Sequence, residues 1–166
     1  AIHLASEQKE IQDSILNLSQ FNGQAARLRL TLHSDCANTS HVAFVKLTGN
    51  ELEGFSVNGI ASTAGELFEQ TVRDNLINPL GTELSISGQS IKQLEWTLDQ
   101  KDAGFYAPVF INKETNNLFT YGATSAQDKN IHIKNLGSNF FGYEDTISSQ
   151  GSDWDFNDIT MLVEMI

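Results

Sequence analysis

The chain has 166 residues, 40% of them hydrophobic, and it carries 10 basic and 21 acidic side chains for a net charge of −11. This length and apolar content suit one folded domain over residues 1–166 and exclude wholesale disorder. An acidic chain without a basic cluster has little with which to neutralise phosphates, so nucleic acid and anionic membrane surfaces are excluded as partners. Cations are the natural partners of such a chain.

Cysteine content and hydropathy narrow the class of protein further. Cys36 is the only cysteine, so neither an internal disulfide nor a cysteine-based zinc site can form. No apolar run approaches the roughly 18–20 residues needed to cross a bilayer. The chain begins Ala1-Ile2-His3, without an initiator methionine. We therefore expect a mature protein or an excised domain from which any targeting signal has been removed.

The first third of the chain mixes clear and ambiguous patterns. Residues 1–25 fit a helix and a strand equally well. Residues 26–33 alternate between apolar and polar, which predicts a half-buried antiparallel strand with Leu28, Leu30 and Leu32 on its buried face. After it we expect a loop at 34–40, a second strand at 41–47 and a Gly- and Asn-rich linker at 48–63.

One short helix is predicted after this linker. Thr63 and Glu66 have the spacing of a capping box, in which a threonine caps the first turn and a glutamate three residues later answers it. Apolar residues then recur at helical spacing as far as Leu76, and Pro79 lies just beyond the end of the run. The spacing predicts a helix of about 12 residues.

Strand-sized segments dominate the rest of the chain. We expect strands at residues 83–87, 90–98, 105–111, 117–121, 131–134 and 159–164, separated by turn clusters. Many short strands with one helix in a connecting loop are typical of a β-sandwich. The prediction is an all-β fold, a jelly-roll-like antiparallel β-sandwich with one short helix in a loop.

More than half of the net charge lies in the last 23 residues. Residues 144–166 hold six acidic and no basic side chains, a charge of −6, against −5 for residues 1–143 with fifteen acidic and ten basic side chains. Asp153, Asp155 and Asn157 recur at every second residue, and in an extended backbone this spacing directs their oxygens to one side. The carboxylates of Asp153, Asp155 and Asp158 repel one another unless a cation neutralises them. Calcium accepts about six to eight oxygen ligands of this kind, so the sequence predicts a calcium site.

A second acidic pair precedes this cluster. Gly142 is expected to let the chain turn, so that Glu144 and Asp145 reach the same ion or an adjacent one. An EF-hand is excluded because Asp158 stands where that loop requires glycine, and because residues 159–163 are strand-like. An acidic loop that faces solvent and holds no ion stays open as the alternative.

The two acidic segments resemble the signature of a bacterial protein family. Residues 141–145 (Phe-Gly-Tyr-Glu-Asp) and 152–158 (Ser-Asp-Trp-Asp-Phe-Asn-Asp) are similar to the FGFED…SDxDFND pattern of domain-of-unknown-function family 4114. That family is frequent in cyanobacteria and in secreted, calcium-dependent surface proteins, including repeat-type adhesins. The stretch from Asp128 through His132 to Gly137 is similar to the segment that precedes the family's signature. The resemblance implies a β-sandwich, calcium bound by the signature acids, and Asp128 as a further source of ligands.

We therefore predict a calcium-binding module of a secreted or cell-surface protein that acts in adhesion or matrix binding and is not an enzyme. Its expected partners are calcium ions and a carbohydrate or cell-surface ligand, without nucleic acid or a membrane span. The predicted calcium ligands are Glu144, Asp145, Asp153, Asp155, Asn157, Asp158 and Asp128.

Two other functions stay open at this point. In a calcium-dependent carbohydrate-binding module the ion would also coordinate sugar hydroxyls. In a hydrolase, two carboxylates about 5–10 Å apart would act as acid and base. Two further residues are ambiguous, since His132 is either a ligand or a core hydrogen-bonding residue, and Asn112 is either a ligand or a turn residue.

Overall fold

A computed structural model describes residues 16–18, 25–51, 54–77, 84–137, 139–144 and 158–166. Within these residues the strands are β1 (Leu16–Leu18), β2 (Ala25–Lys46), β3 (Gly49–Glu51), β4 (Gly54–Val57), β5 (Ile60–Ala61), β6 (Ser85–Asp99), β7 (Gly104–Asn112), β8 (Leu118–Thr120), β9 (Ile133–Asn135), β10 (Phe140–Tyr143) and β11 (Ile159–Met165). The helix α1 spans Glu66–Asp74, and a 3₁₀ helix at Gln100–Asp102 connects β6 to β7.

Strand β2 organises the main sheet. Eight strands form this sheet, in which β6 pairs with β2 on one side while β11 and β7 pair with β2 on the other. Strands β10 and β9 continue beyond β11, and both β1 and β8 lie beside β7. The pairs are antiparallel and the sheet is nearly closed, as in a sandwich or barrel-like fold. The prediction of an all-β antiparallel fold with one short helix is confirmed for the described residues.

The strands of the main sheet contribute most of the buried apolar core. In the first half of β2, Leu28, Leu30 and Leu32 are at most 1% exposed, which confirms the predicted alternation. They belong to one cluster of buried side chains that extends from Leu16 in β1 to Val163 in β11. Burial of apolar area at roughly 25 cal/mol per Å² is the main stabilising contribution to such a core.

Two predictions for residues 34–63 are wrong. The loop expected at 34–40 is part of β2, which continues through an irregular pairing between Cys36 and Ser40. The linker expected at 48–63 holds β3, β4 and β5, which form a separate three-stranded sheet. Asn58 and Gly59 have φ of 49° and 83°, the left-handed pair that a two-residue hairpin turn requires. Gly- and Asn-rich sequence therefore marks a hairpin here.

The helix is shorter than predicted and the capping box is wrong. Helix α1 has nine residues, and its N-cap is Gly65, with φ of 63° and no side-chain hydrogen bond. The helix therefore begins too late for the Thr63 hydroxyl to occupy the N-cap position. Phe68 and Val72 are buried as the helical spacing predicts. The proposed stop at Pro79 lies outside the described residues.

Most strands predicted for the second half of the chain are present in the structure. The segments expected at 83–87 and 90–98 join in one strand, β6, which begins at Ser85, while residue 83 lies outside the described residues. The strands predicted at 105–111, 117–121 and 159–164 correspond to β7, β8 and β11. The strand predicted at 131–134 begins two residues later, as β9. In the described part of the chain, no helix is long and apolar enough to cross a membrane.

Candidate metal centre

Three of the seven predicted calcium ligands lie in the described part of the chain. These are Asp128, Glu144 and Asp158. The other four predicted ligands lie outside it, and they are Asp145, Asp153, Asp155 and Asn157.

The pairing of β10 with β11 places the two acidic segments in one hairpin connection. Tyr143 is the last residue of β10 and is directly paired with Ile159, the first residue of β11. We call residues 144–158, which join these strands, the acidic connection. Because antiparallel partners lie about 5 Å apart, the connection begins and ends at neighbouring points of the sheet.

The prediction that Gly142 turns the chain is wrong. Gly142 lies inside β10, where it is paired with Lys134 of β9 and Thr160 of β11. On either side of it, Phe141 and Tyr143 are fully buried and hold the segment in the sheet as a strand. The chain therefore leaves the sheet only after Tyr143.

Both ends of the acidic connection are fixed by main-chain hydrogen bonds. At its start, the Glu144 N–H donates to the His132 carbonyl at 2.8 Å. At its end, the Asp158 carbonyl accepts from the Asp35 N–H at 2.9 Å. Glu144 is only 2% exposed, whereas Asp158 is half-buried. We call these two anchored ends the first neck, at Glu144, and the second neck, at Asp158. The two acidic side chains there lie in different environments.

A buried Asp–His pair lies beside the first neck. Asp128 Oδ2 and Oδ1 lie 2.9 and 3.1 Å from His132 Nε2, and the side chains are 5% and 1% exposed. The other ring nitrogen, Nδ1, lies 2.9 Å from the Glu144 carbonyl oxygen. A carbonyl oxygen can only accept, so Nδ1 carries a proton and donates it. His132 is therefore a core hydrogen-bonding residue, one of the two roles that its sequence position allowed.

Aromatic packing fixes the plane of the histidine ring. His132 stacks on Phe119 with ring centroids 4.0 Å apart and an interplanar angle of 21°. Phe119 contacts Tyr143 at 5.7 Å, and Tyr143 stacks on Phe110 at 4.4 Å. The ring that holds Glu144 is thus continuous with the aromatic core beneath β10.

Asn112 is buried and acts as a turn residue. Its Oδ1 accepts hydrogen bonds from the N–H groups of Glu114 and Thr115 at 3.0 and 3.4 Å. These bonds hold the turn after β7, the second of the two roles considered for this residue. Trp96 is 5% exposed and stacks on Phe44 in the core at 4.7 Å, so it offers no surface for stacking on a sugar.

The described residues do not by themselves form a metal centre. Among them, no three His, Cys, Asp or Glu side chains are grouped so that they could hold an ion. Asp35, whose N–H binds Asp158, also lines a shallow surface depression of about 600 Å³ together with His33, Gln89, Ser90 and Ile91. What the described geometry provides is a pair of fixed necks for the connection that carries the remaining predicted ligands.

Comparison with protein-family models, with curated proteins and with solved structures finds no match to this chain. The resemblance to family 4114 stays an interpretation of the motif residues at 141–145 and 152–158.

Proposed function

We propose that this protein is a calcium-binding module and that the acidic connection between β10 and β11 holds the ion. The observation that carries the proposal is the direct pairing of Tyr143 with Ile159. Six of the seven predicted ligands lie between these two residues in sequence: Glu144, Asp145, Asp153, Asp155, Asn157 and Asp158. The segment that carries them therefore begins and ends at neighbouring points of the sheet.

Electrostatics supports a divalent ion in this connection. It carries five carboxylates, and no lysine or arginine follows Lys134 in the chain. Like charges held at about 4 Å repel by roughly 1 kcal/mol per pair in bulk water, and by more near a protein surface. An ion with two positive charges and six to eight oxygen ligands removes this repulsion.

The closed ends of the connection also favour binding. The sheet has already paired Tyr143 with Ile159, so the ion does not have to supply the entropy cost of closing the loop. An ion that binds the folded but not the unfolded chain stabilises the fold by mass action. We infer that calcium links β10 to β11 and stabilises this end of the sheet.

The resemblance to family 4114 supports the setting of the module. We propose a secreted or cell-surface protein that acts in adhesion or matrix binding, without catalysis. The strongly acidic composition fits calcium as partner and argues against nucleic acid.

No described residue favours the two alternative functions. A carbohydrate-binding module needs an exposed aromatic platform. The large hydrophobic residues exposed in the described ranges are not aromatic, namely Leu67, Ile91, Leu136, Met165 and Ile166. A hydrolase needs a carboxyl group that reaches its substrate, and Glu144 is 2% exposed.

Thermal unfolding with calcium and with chelator tests the proposal. At free calcium 100-fold above the Kd, mass action gives about 2.7 kcal/mol of stabilisation. For a chain of this length that amounts to a rise in Tm of roughly 5–10 °C. Asp153→Asn should reduce the rise, whereas the matched control Asp99→Asn, at an exposed position in β6, should keep it. An identical Tm in calcium and in chelator would refute a calcium site.

A further inference from the structure

One residue holds both main-chain polar groups of Glu144. The Glu144 N–H donates to the His132 carbonyl at 2.8 Å, and His132 Nδ1 donates to the Glu144 carbonyl at 2.9 Å. The His132 side chain is 1% exposed, so water has little access with which to replace the ring. An unpaired buried carbonyl costs the full desolvation penalty of that group. The position of the first neck therefore depends on the His132 ring.

Asp128 in turn fixes the ring. Both of its carboxylate oxygens face His132 Nε2, and Oδ1 also accepts from the Asn130 N–H at 3.1 Å. The turn that presents Asp128 is closed by a β-bridge between Thr124 and Ile131. A carboxylate with this arrangement directs its oxygens at donors of the protein.

The second neck is held by a main-chain hydrogen bond. There, the Asp158 carbonyl accepts from the main-chain N–H of Asp35. That bond survives almost any side-chain substitution, because it joins two main chains. At the first neck, by contrast, the His132 side chain makes a contact that a substitution can release.

We propose that Asp128 and His132 are positioning residues for the calcium site and do not themselves bind the ion. They hold Glu144 at the first neck of the acidic connection, the segment that carries the other predicted ligands. The proposal rests on the proposed function and changes the role assigned to Asp128, which the sequence had placed among the ligands. Residues that orient metal ligands from outside typically change metal affinity by roughly 10- to 100-fold when they are replaced.

Two substitutions of His132 separate the bonds made by its ring. In His132→Asn the side-chain amide occupies the place of Nδ1 and can still donate to the Glu144 carbonyl. In His132→Gln the amide lies nearer the place of Nε2 and can reach Asp128 instead. Calorimetric titration with calcium should show a Kd for His132→Asn close to that of the wild type. It should show a Kd roughly tenfold higher for His132→Gln.

Two substitutions of Asp128 separate positioning from direct ligation. In Asp128→Asn the new amide can donate to Nε2 while its carbonyl accepts from the Asn130 N–H, so the ring keeps its orientation. Asp128→Ala removes both contacts. A positioning role predicts that Asp128→Asn binds calcium like the wild type, whereas Asp128→Ala binds roughly tenfold more weakly. A direct ligand would lose affinity in both variants, because both remove its negative charge.

A core variant controls for general loss of stability. Val163→Ala in β11 creates a cavity at a residue that is 5% exposed and far along the strand from the neck. It should lower the Tm of the metal-free protein without changing the Kd for calcium. The proposal is overturned if Val163→Ala weakens calcium as much as His132→Gln does, or if His132→Asn and His132→Gln weaken it equally.

Amide hydrogen exchange of the metal-free protein gives a readout that does not require calcium. Exchange of the Glu144 amide should be faster in His132→Gln than in His132→Asn or Val163→Ala. If the wild type bound no calcium, the proposed function would fail and the positioning role with it. The exchange rates would then show only whether His132 anchors the neck. If the wild type bound calcium and exchange were equal in all three variants, the positioning role alone would fail.

Discussion

The two halves of β2 differ in what covers them. In the first half, buried leucines alternate with exposed residues, and one face of the strand meets water. In the second half, Val42, Ala43, Phe44 and Val45 are all fully buried, so both faces are covered. The first half pairs with β11 and so supports the acidic connection, while the second half pairs with β7 in the core. One strand thus joins the proposed calcium site to the most buried part of the molecule.

Main-chain bonding in the second half explains how proline is accommodated there. Pro108 in β7 lies opposite Phe44, at a position where the two strands exchange no main-chain hydrogen bond. The Phe44 N–H and carbonyl instead bond to Ile77, at 3.0 and 2.7 Å. The Pro108 carbonyl faces the other way and accepts from the Tyr121 N–H at 3.0 Å. The missing N–H of proline therefore costs this strand pair no hydrogen bond.

Phe44→Ala should produce the largest loss of stability, because it disrupts the half that is buried on both faces. Phe44 is fully buried and stacks on Trp96, and truncation of such a side chain costs about 3–5 kcal/mol. The matched control is His33→Ala, on the exposed face of the first half, for which less than about 0.5 kcal/mol is expected. Urea unfolding measures both variants. Equal losses would show that the two halves do not differ in the way described.

High pH should also act on the buried half. Tyr106 of β7 lies opposite Lys46, and its hydroxyl donates to the Asp102 carbonyl oxygen. Burial, with a smaller contribution from the Asp102 carboxylate, raises the pKa of Tyr106 from 10.0 to about 12.

The sign of the resulting pH effect follows from this raised pKa. The folded state keeps the phenol proton that the unfolded state loses, so stability is complete below pH 10 and falls as the pH rises towards 12. The loss is at most about 2–3 kcal/mol. Urea unfolding from pH 8 to 12, with tyrosinate absorbance as the titration signal, measures it. In Tyr106→Phe this part of the pH dependence should disappear, and its persistence there would assign the effect to another group.

The first half of β2 was predictable from local pattern and its continuation was not. Leucine at every second position predicts a strand with one buried and one solvent-exposed face, and Leu28, Leu30 and Leu32 are buried in the structure. Residues 34–40 have turn-forming composition, yet their main chain is held from far away in sequence. The Thr39 N–H donates to Glu114 Oε2 at 2.9 Å, and the Thr39 carbonyl accepts from the Lys113 N–H at 2.8 Å. Bonds that span about seventy residues have no signature in a local pattern.

The candidate site shows the same division. The spacing and charge of the acidic residues indicate the connection between residues 144 and 158, because the ability to bind a cation depends on residue type. The anchoring of Glu144 by His132 depends on the register of β9 against β10, which residue type does not encode. Local sequence predicts a turn at Gly142 for the same reason, since its strand character comes from pairing with two neighbouring strands.

Asp155→Ala should lower calcium affinity more than Asp128→Ala does. Asp155 is a predicted ligand in the connection that leads into β11. Asp128, by contrast, already faces His132 Nε2 at 2.9 Å and accepts a hydrogen bond from the Asn130 N–H. Removing a ligand charge should raise the Kd by more than the roughly tenfold expected for Asp128→Ala. Calorimetric titration of the two variants decides the order. The reverse order would make Asp128 a ligand and would contradict its role as a positioning residue.

The smallest change in stability should come from a substitution on the solvent-exposed face of the first half of β2. Arg27 Nη2 lies 2.7 Å from Glu95 Oε2 across the β2–β6 pair, but the side chains are 58% and 50% exposed. Exposed pairs of this kind contribute about 0–1 kcal/mol, and salt screens them. Arg27→Ala should therefore cost less than about 1 kcal/mol in urea unfolding, with a smaller loss in 1 M salt. Its neighbour Leu28, at 1% exposure, should cost about 2–5 kcal/mol when replaced by alanine. If Arg27→Ala lost as much free energy of unfolding as Leu28→Ala, or if its loss did not depend on salt, the outer face of this half would have to be shielded from water. The contrast between the two halves of β2 would then no longer hold.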